Sequence, residues 1–486
     1  MEEYDVCVIG AGYGGASAAA LLAHSGRRVA LVEKTLLAGG KTQTVDRKGY
    51  RFEMFGAVGI PALGSRFHEL VEVLGIADRV PFIVPEGEVA SVRYKAPDGE
   101  WRCMYSALRQ TGDPKEMDNL RRVFGATDDD LAALARLYTA VLTLEGEALD
   151  ALDHVGMLDW MRPFGLPAPL ESQVCMNLNT LFVVPVNRLA ASEAILTMRQ
   201  QVLGGAGRYH VGGYGRVAEA CADFVTEHGG IYVTKQRVQR IVVEGGRAVG
   251  IETDEGVLRA RAIVSNAGIQ PTVLRLAGRE HFPAGYLGRV ESLEPSWAIA
   301  GNRYVLDAPV FDAALIPIFS DQSWLDDERF ARMEAGDWPD VPLIAIDVPS
   351  AFDPSLSPVP GHQIANCQVF CSADPSSPMG EEATRRAEEV LDELWPDLRK
   401  HIIRKEPYGA RQVSALSRDS VLPGQGGEAV GLAQVVGQVG SSKPDARTPL
   451  PGLYLVGCDA GGRGAGTHQA VDSGFNVSEM VHGDLG

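Results

Sequence analysis

Four glycines near the start of the chain have the type and spacing that cradle a phosphate group. They stand in Asp5-Val-Cys-Val-Ile-Gly10-Ala-Gly12-Tyr-Gly14-Gly15. Gly10 permits a tight turn after an apolar strand end, Gly12 lets backbone amides come up to a pyrophosphate, and Gly15 lets the next helix pack close to the sheet. An anion placed there meets the free N–H groups and the positive dipole end of that helix. Glu33 lies 23 positions after Gly10 and ends the next apolar run, where a carboxylate accepts hydrogen bonds from ribose hydroxyls. The chemistry is dinucleotide binding. By itself this stretch leaves NAD and FAD both open.

The elements that must position these groups follow from local pattern. Val6, Val8 and Ile9 predict a short buried strand, Ala16, Ala18, Ala19, Ala20 and Ala23 a slim helix ended by Gly26, and residues 28–33 a parallel return. Next comes Lys34-Thr-Leu-Leu-Ala-Gly39-Gly40-Lys41-Thr42, a loop that a simple NAD domain does not need. Its glycine pair and the point charge of Lys41 suit further contacts to a long diphosphate ligand; the plainer reading of Lys41 is a solvated lysine. Gly49-Tyr50-Arg51-Phe52-Glu53-Met54-Phe55-Gly56 brings an aromatic strand end back toward the same region.

The fingerprint, the Gly39-Gly40-Lys41 loop and the stretch 50–56 together resemble the FAD-binding N-terminus of the phytoene desaturase, carotenoid isomerase and retinol saturase group, within the wider amine-oxidase-like flavoproteins. Lys41 stands where that group usually has Arg, and residues 52–56 are a loose version of its Phe-Asp-x-Gly. The resemblance implies FAD as cofactor. It implies an α/β fold: a Rossmann-type FAD-binding domain, glutathione-reductase-like with a β-meander, plus a mixed α+β substrate domain. The antiparallel strands expected at 237–243, 247–253 and 257–261, running into Ala262-Ile-Val-Ser-Asn266-Ala-Gly268, are what the group inserts into its FAD domain. By that likeness Val238 meets the adenine through its backbone.

A second glycine-rich return lies at the other end, in Val456-Gly457-Cys-Asp459-Ala-Gly461-Gly-Arg463-Gly-Ala-Gly466-Thr467-His468. It reads as strand, sharp turn, loop and a helix to about residue 481. The strand end sets Asp459 near a ribityl or phosphate hydroxyl, and the helix start at Gly466 and Thr467 points toward negative charge, which in a flavoprotein is the reduced ring. Gly437-Gln-Val-Gly440 and Lys443-Pro444 also resemble the group. The expected cofactor-binding set is Gly10, Gly12, Gly14, Gly15, Glu33, Lys34, Gly40, Lys41, Val238, Asn266, Gly457, Asp459, Gly466, Thr467 and His468.

Moving a proton beside a carbonyl or onto an alkene needs a group that titrates near neutral pH. His468 is the histidine expected to face the flavin, in its neutral form because a helix N-terminus lowers its pKa. Glu53 and Arg463 are the other ionisable groups leading there. The plainer reading of His468 is a residue that caps or packs at the helix start.

Two domains suit a chain of 486 residues. Residues 1–65, 205–290 and 435–486 are expected to form the FAD domain, and 66–204 with 291–434 a substrate lid. Within the lid, residues 65–80 read as an amphipathic helix with His68 at the surface. Residues 89–105 read as a hairpin around Pro97-Asp98-Gly99, and Thr127 to Asp130 as a capping box.

Apolar and charged contents of 45% and 22% are those of a soluble protein. The net charge of −18 argues against nucleic acid as a partner. The 7 scattered cysteines form no C-x-x-C pair and no metal spacing, as in a reducing compartment. With no leader pattern and no membrane-length apolar run, the expected place is cytoplasmic.

The function expected is desaturation, saturation or isomerisation of a carbon–carbon bond in a small apolar molecule by hydride transfer with flavin N5. The electron partner is open between oxygen, a quinone, another carrier and the substrate itself. The rivals are an amine oxidase, whose aromatic cage could draw on Tyr209, Tyr214, Trp297 and Tyr304, and a non-catalytic FAD-binding partner protein.

Overall fold

The computed structural model describes residues 3–55, 64–107, 114–204 and 207–486. Met1 and Glu2, Gly56 of the aromatic stretch and Gly205 of the expected domain boundary lie outside the described residues.

Glu3–Ile9 is the central strand of a seven-stranded sheet, and its Val6, Cys7 and Val8 have no exposed surface. Such a continuous apolar run suits a parallel strand covered on both faces. It pairs in parallel with Val29–Val32 on one side and Gly256–Ser265 on the other, and Val29–Val32 pairs in turn with Ile231–Val233.

Gly256–Ser265 changes partner along its length. Its first residues close the antiparallel meander with Arg247–Thr253 and Val238–Glu244, and its last residues pair in parallel with Leu453–Leu455. Parallel strands end on the same edge of a sheet, where doubly wound folds bind their ligands. Gly10, Glu33 and Asn266 each follow the last residue of one of these strands, and Gly457 follows Leu455 by two.

The slim helix Tyr13–His24 covers one face of this sheet, packed between the C-terminal helix Gly466–Leu485 and Arg216–Glu227. The helix expected over 65–80 is shorter: Arg66–Val73, ended where Gly75 turns with φ of 65°. Its His68 is buried rather than at the surface, because the helix lays Phe67, Leu70 and Val71 into the core that holds Tyr13 and Tyr214. The expected boundary at residue 65 had set this helix with the lid.

A second seven-stranded sheet runs in the order Ile402–Tyr408, Ala298–Leu306, Gln363–Cys371, Ile344–Asp347, Leu315–Ser320, Ala90–Lys95, Trp101–Ser106. The hairpin around Pro97-Asp98-Gly99 forms as its pattern predicts, and Ala90–Lys95 joins Leu315–Ser320 in parallel. Helices Asp128–Thr143, Ala168–Phe182 and Ala191–Leu203 pack beside it, the first closed by the Thr127–Asp130 capping box.

Two glycines of the C-terminal helix make opposite predictions. A methyl at Gly474 would press into Ser17 of the N-terminal helix, whereas one at exposed Gly483 meets nothing. Gly483→Ala should raise stability by up to about 0.5–1 kcal/mol through helix propensity. Gly474→Ala should lower it by about 1–3 kcal/mol through overpacking. Denaturant midpoints of the two variants check both signs.

Candidate active site

One cavity of about 510 Å³ is walled by residues of both sheets, including Ile9, Val32 and Val238 from the first and Ile299, Ala345 and Phe370 from the second. Its glycine cradle is set by close backbone approach. Gly10 turns with φ of 88°, and a methyl at Gly15 would run into its carbonyl. A methyl at Gly14 would lie 2.6 Å from Gly457 Cα, and one at Gly12 would lie 2.8 Å from Asn266 Nδ2. Asn266 thus sits between the N-terminal and C-terminal loops, held by its own amide on the Ile9 carbonyl at 2.8 Å. The Gly39–Gly40 loop lies alongside: Gly39 donates to the Ala11 carbonyl at 2.8 Å, and a methyl at Gly40 would come within 3.1 Å of Gly12 Cα.

Two helix starts open into this space without a side-chain cap and without acid in their first turns, Tyr13–His24 behind Gly12 and Gly466–Leu485 behind Ala465. Their free N–H groups suit an anionic ligand. Glu33 is buried on the cavity wall, its Oε2 accepting from the Ala11 amide at 2.8 Å and its Oε1 from the Thr35 amide at 2.8 Å. The Thr35 hydroxyl also donates to Oε1, at 2.9 Å. An ionised carboxylate has about four acceptor positions, so room remains for one ribose hydroxyl. Val238 and Thr467 also line the cavity, and the Thr467 hydroxyl bonds that of Tyr214.

Three expected cofactor contacts turn out to be engaged by the protein itself. Lys41 Nζ donates to the Glu428 carbonyl at 2.6 Å, and burial pulls its pKa down. Asp459 accepts from the Ile269 amide at 2.9 Å, the Leu432 amide at 3.0 Å and Arg418 at 2.9 Å. Burial opposes its ionisation, yet Arg418 and the two amides hold its carboxyl below the usual carboxylate range. Lys34 Nζ donates to Asp419 at 2.9 Å. All three still line the cavity.

The three residues expected near the reacting carbon separate. His468 lines the cavity, and its Nδ1 is buried with no hydrogen-bond partner. Burial, then the nearby His68, pushes its pKa down to about 4, so the neutral form holds at ordinary pH. Burial does this, not the helix terminus alone.

Glu53 and Arg463 do not line the cavity. Glu53 has no exposed surface and accepts from the Tyr209 hydroxyl at 2.9 Å and the Tyr214 amide at 3.0 Å, which makes it an internal brace. Arg463 turns away to Glu193 at 2.9 Å and Asp150 at 3.5 Å.

Residues that no motif flagged complete the wall. Arg237, Arg275 and Asp419 stand toward the Glu33 side, since Gln236 donates to the Glu33 carbonyl at 3.0 Å and Lys34, next to Glu33, bonds Asp419 as Arg237 and Arg275 do; Arg418 turns to Asp459 and Glu428. Thr180, Leu181, Val183, Gln200 and Phe370 come from the helices and second sheet. Val183 holds φ of 56°, unusual for a β-branched residue, with its N–H on Asn179 and its carbonyl taking the Trp297 amide, each at 2.8 Å.

The family described as flavin containing amine oxidoreductase matches residues 13–299, more than half of the chain. The chain belongs to that family. It is an FAD-dependent oxidoreductase. It is 24% identical over 530 residues to a prolycopene isomerase of Daucus carota, covering 100% of this chain and 81% of that protein. It is 26% identical over 299 residues to an all-trans-retinol 13,14-reductase of Macaca fascicularis, covering 55% of this chain and 48% of that protein. An oxidoreductase from Methanosarcina mazei shares the fold with a TM-score of 0.73 at 19% identity, over 98% of this chain and 100% of that one.

The cavity of this flavoenzyme fits FAD: a glycine cradle at two uncapped helix starts, with a ribose acceptor beside it. Gly10–Gly15, Glu33, Val238 and Asn266 would hold the adenosine and pyrophosphate, and Gly457, Gly466 and Thr467 the rest. Glu33→Gln should purify with less than half the FAD of the parent, read from flavin absorbance relative to protein. A full complement would show that the ribose is recognised elsewhere.

His468 and buried His210, each pushed down to about 4 by burial first and His68 second, make the fold sensitive to acid. An unfolded histidine takes up a proton near pH 6.5 that these folded ones refuse until about pH 4. Their contribution is complete above the first value and drains as pH falls toward the second. Urea midpoints should therefore fall between pH 7 and 4.5, and fall less in His210→Gln; an identical slope in that variant would refute the assignment.

Proposed function

We propose that the protein acts on a carbon–carbon bond of a largely apolar small molecule, desaturating or saturating it or isomerising a double bond. The observation that carries this is the part of the cavity wall where Leu181, Val183, Ile299, Ala345 and Phe370 leave mainly apolar surface beyond the dinucleotide cradle. The polar groups there are mostly uncharged: Thr180, Thr197, Gln200 and Gln201, with the hydrogen-bonded pair Gln368 and Asp347 at one end. Such a wall orients a hydrocarbon skeleton and excludes water. The two relatives, a prolycopene isomerase and an all-trans-retinol 13,14-reductase, support the same reaction class.

FAD, when bound, supplies the hydride acceptor or donor, and that transfer needs no side chain. What the chain must add is position and a proton. His468 stands at the start of the C-terminal helix on the cavity wall and stays neutral above about pH 4, so one ring nitrogen can accept a proton while the other carries one. It is the residue we assign to moving a proton at the reacting bond. The electrons go to or come from oxygen, a quinone, another carrier or the substrate.

An amine oxidase would need aromatic walls beside the ring. Of Tyr209, Tyr214, Trp297 and Tyr304, only Tyr214 lines the cavity. Tyr209 is tied to Glu53, Trp297 stacks on Phe330 at 4.0 Å, and Tyr304 bonds Glu388 at 3.3 Å. A non-catalytic binding role would leave the flavin inert to every substrate.

Anaerobic mixing tests this reading. An apolar conjugated alkene should reoxidise the dithionite-reduced protein or be isomerised by it, or its more saturated counterpart should bleach the oxidised protein. An amine of matched size should do neither; bleaching by the amine alone would overturn the proposal. With FAD retained, His468→Gln should slow the reaction about 10²-fold, and the parent's rate should be flat from pH 6 to 9. An unchanged rate in the variant would leave His468 a packing residue.

A further inference from the structure

Between the helix Ala410–Leu416 and Gly427 the chain passes along the edge of the cavity, where Leu416, Ser417, Arg418 and Asp419 line it. The carboxylate of Asp419 receives three cations from three separate segments around the first sheet. Lys34 Nζ approaches Oδ1 at 2.9 Å, Arg237 reaches Oδ1 at 2.8 Å and Oδ2 at 2.7 Å, and Arg275 bonds Oδ2. Lys34 adjoins the ribose acceptor Glu33, Arg237 adjoins Val238, and Arg275 comes from the helical segment Thr272–Gly278. All four charged groups line the cavity.

The flanks of this segment are fastened elsewhere. Arg418 is buried between Glu428 and Asp459, Gly427 donates to the Ala373 carbonyl at 2.9 Å, and Ala429 donates to the Trp297 carbonyl at 2.9 Å. The run 419–426 is fastened at its end, where the Gly426 amide donates to Glu428 Oε2 at 2.8 Å, and has few ties before that: Ser420 bonds within the run to Leu422 and Gln425, and Gln425 reaches the Leu293 carbonyl at 3.4 Å. Among the described contacts, Asp419 is where this run meets the adenosine side of the cradle.

We propose that residues 417–426 form a latch over the adenosine end of FAD and that Asp419 is the residue that fastens it. The proposal rests on the FAD site and not on the reaction assigned above. A carboxylate shared by three cations in a network holds far better than an isolated surface pair, and its side chain is only 17% exposed. Burial works against its charge, yet the hydrogen bonds from Arg237, Arg275 and Lys34 outweigh this and hold the carboxyl well below the usual range. The outer cations are more open, Arg237 at 42% and Arg275 at 44% exposed. Salt therefore reaches them and weakens the fastening. FAD leaves when the latch opens, so its release is slow at low salt and faster at high salt.

The experiment follows FAD release from the holoprotein by the rise of free-flavin fluorescence after dilution, at low and at about 1 M sodium chloride. In the parent protein, high salt should speed release severalfold. Asp419→Asn keeps the shape of the side chain and removes its charge; it should release FAD about tenfold faster at low salt and lose most of the salt effect. Asp419→Glu should restore slow, salt-sensitive release, and Arg275→Gln should fall between. Parent-like release from Asp419→Asn, or tighter FAD binding in it, overturns the proposal. Where Asp419→Asn fails to fold, the parent's salt series and Arg275→Gln decide: salt-independent release in the parent, or parent-like release from Arg275→Gln, overturns it equally.

Discussion

The close approach of two loops across Asn266 is the constraint on which the rest depends. Gly12, Gly14 and Gly457 are bare because that side chain and the facing backbone occupy the space a Cβ would take. The N-terminal strand and the C-terminal return are far apart in sequence but pair with opposite edges of Gly256–Ser265. That strand ends directly before Asn266. A single long strand therefore brings both glycine loops to one place and leaves two helix starts facing one cavity. A cofactor that spans the cavity can then be held at both ends by backbone groups. Such groups lose no side-chain entropy when they bind.

Charge in the middle of the cavity follows a different logic. Arg418 lies buried between Glu428 and Asp459, and Lys41 adds its ammonium to the Glu428 and Val430 carbonyls. Charges removed from water are tolerated only when geometry and hydrogen bonds compensate. Here the compensation runs across the chain: Lys41 and Asp459 from the cofactor sheet meet Arg418 and Glu428 from the segment returning from the second sheet. The cavity-lining members of this set, Lys41, Arg418 and Asp459, thus also fix how the second layer sits on the first. A change at Asp459 would for that reason disturb both packing and cofactor, and the two effects cannot be separated by cofactor affinity alone.

What was legible in the sequence was local. Gly10 to Gly15, Glu33 and the Gly457 to His468 return are read from spacing, because turn, strand and helix signals lie within a few residues of one another, whereas Asn266 comes only from the resemblance of its stretch to a family. Glu53 and Arg463 were misplaced because their partners are distant. Tyr209 and the Tyr214 amide claim Glu53 from more than 150 positions away, and Glu193 claims Arg463 from 270 positions before it. No pattern of neighbours carries that information. His68 failed differently. A histidine on an amphipathic helix reads as surface when the helix is taken alone, but its face closes onto Phe67, Phe82 and His210.

The cluster around Phe67 shows what the buried histidines do for the site. His68, His210 and His468 come from three separate elements, and Phe67 lies within 6.3 Å of each ring. Had any of them been charged, the others would have been pushed further from charge, since like charges in low dielectric repel strongly. Keeping His210 and His468 neutral therefore has one physical cause, a shared apolar surround. Only His468 opens onto the cavity. A neutral imidazole at that position, backed by residues that hold it neutral, is a proton donor and acceptor that adds no fixed charge beside the apolar wall. An arginine or ionised carboxylate there would demand a polar partner from the substrate. On the function proposed above, the arrangement would suit a substrate that offers none.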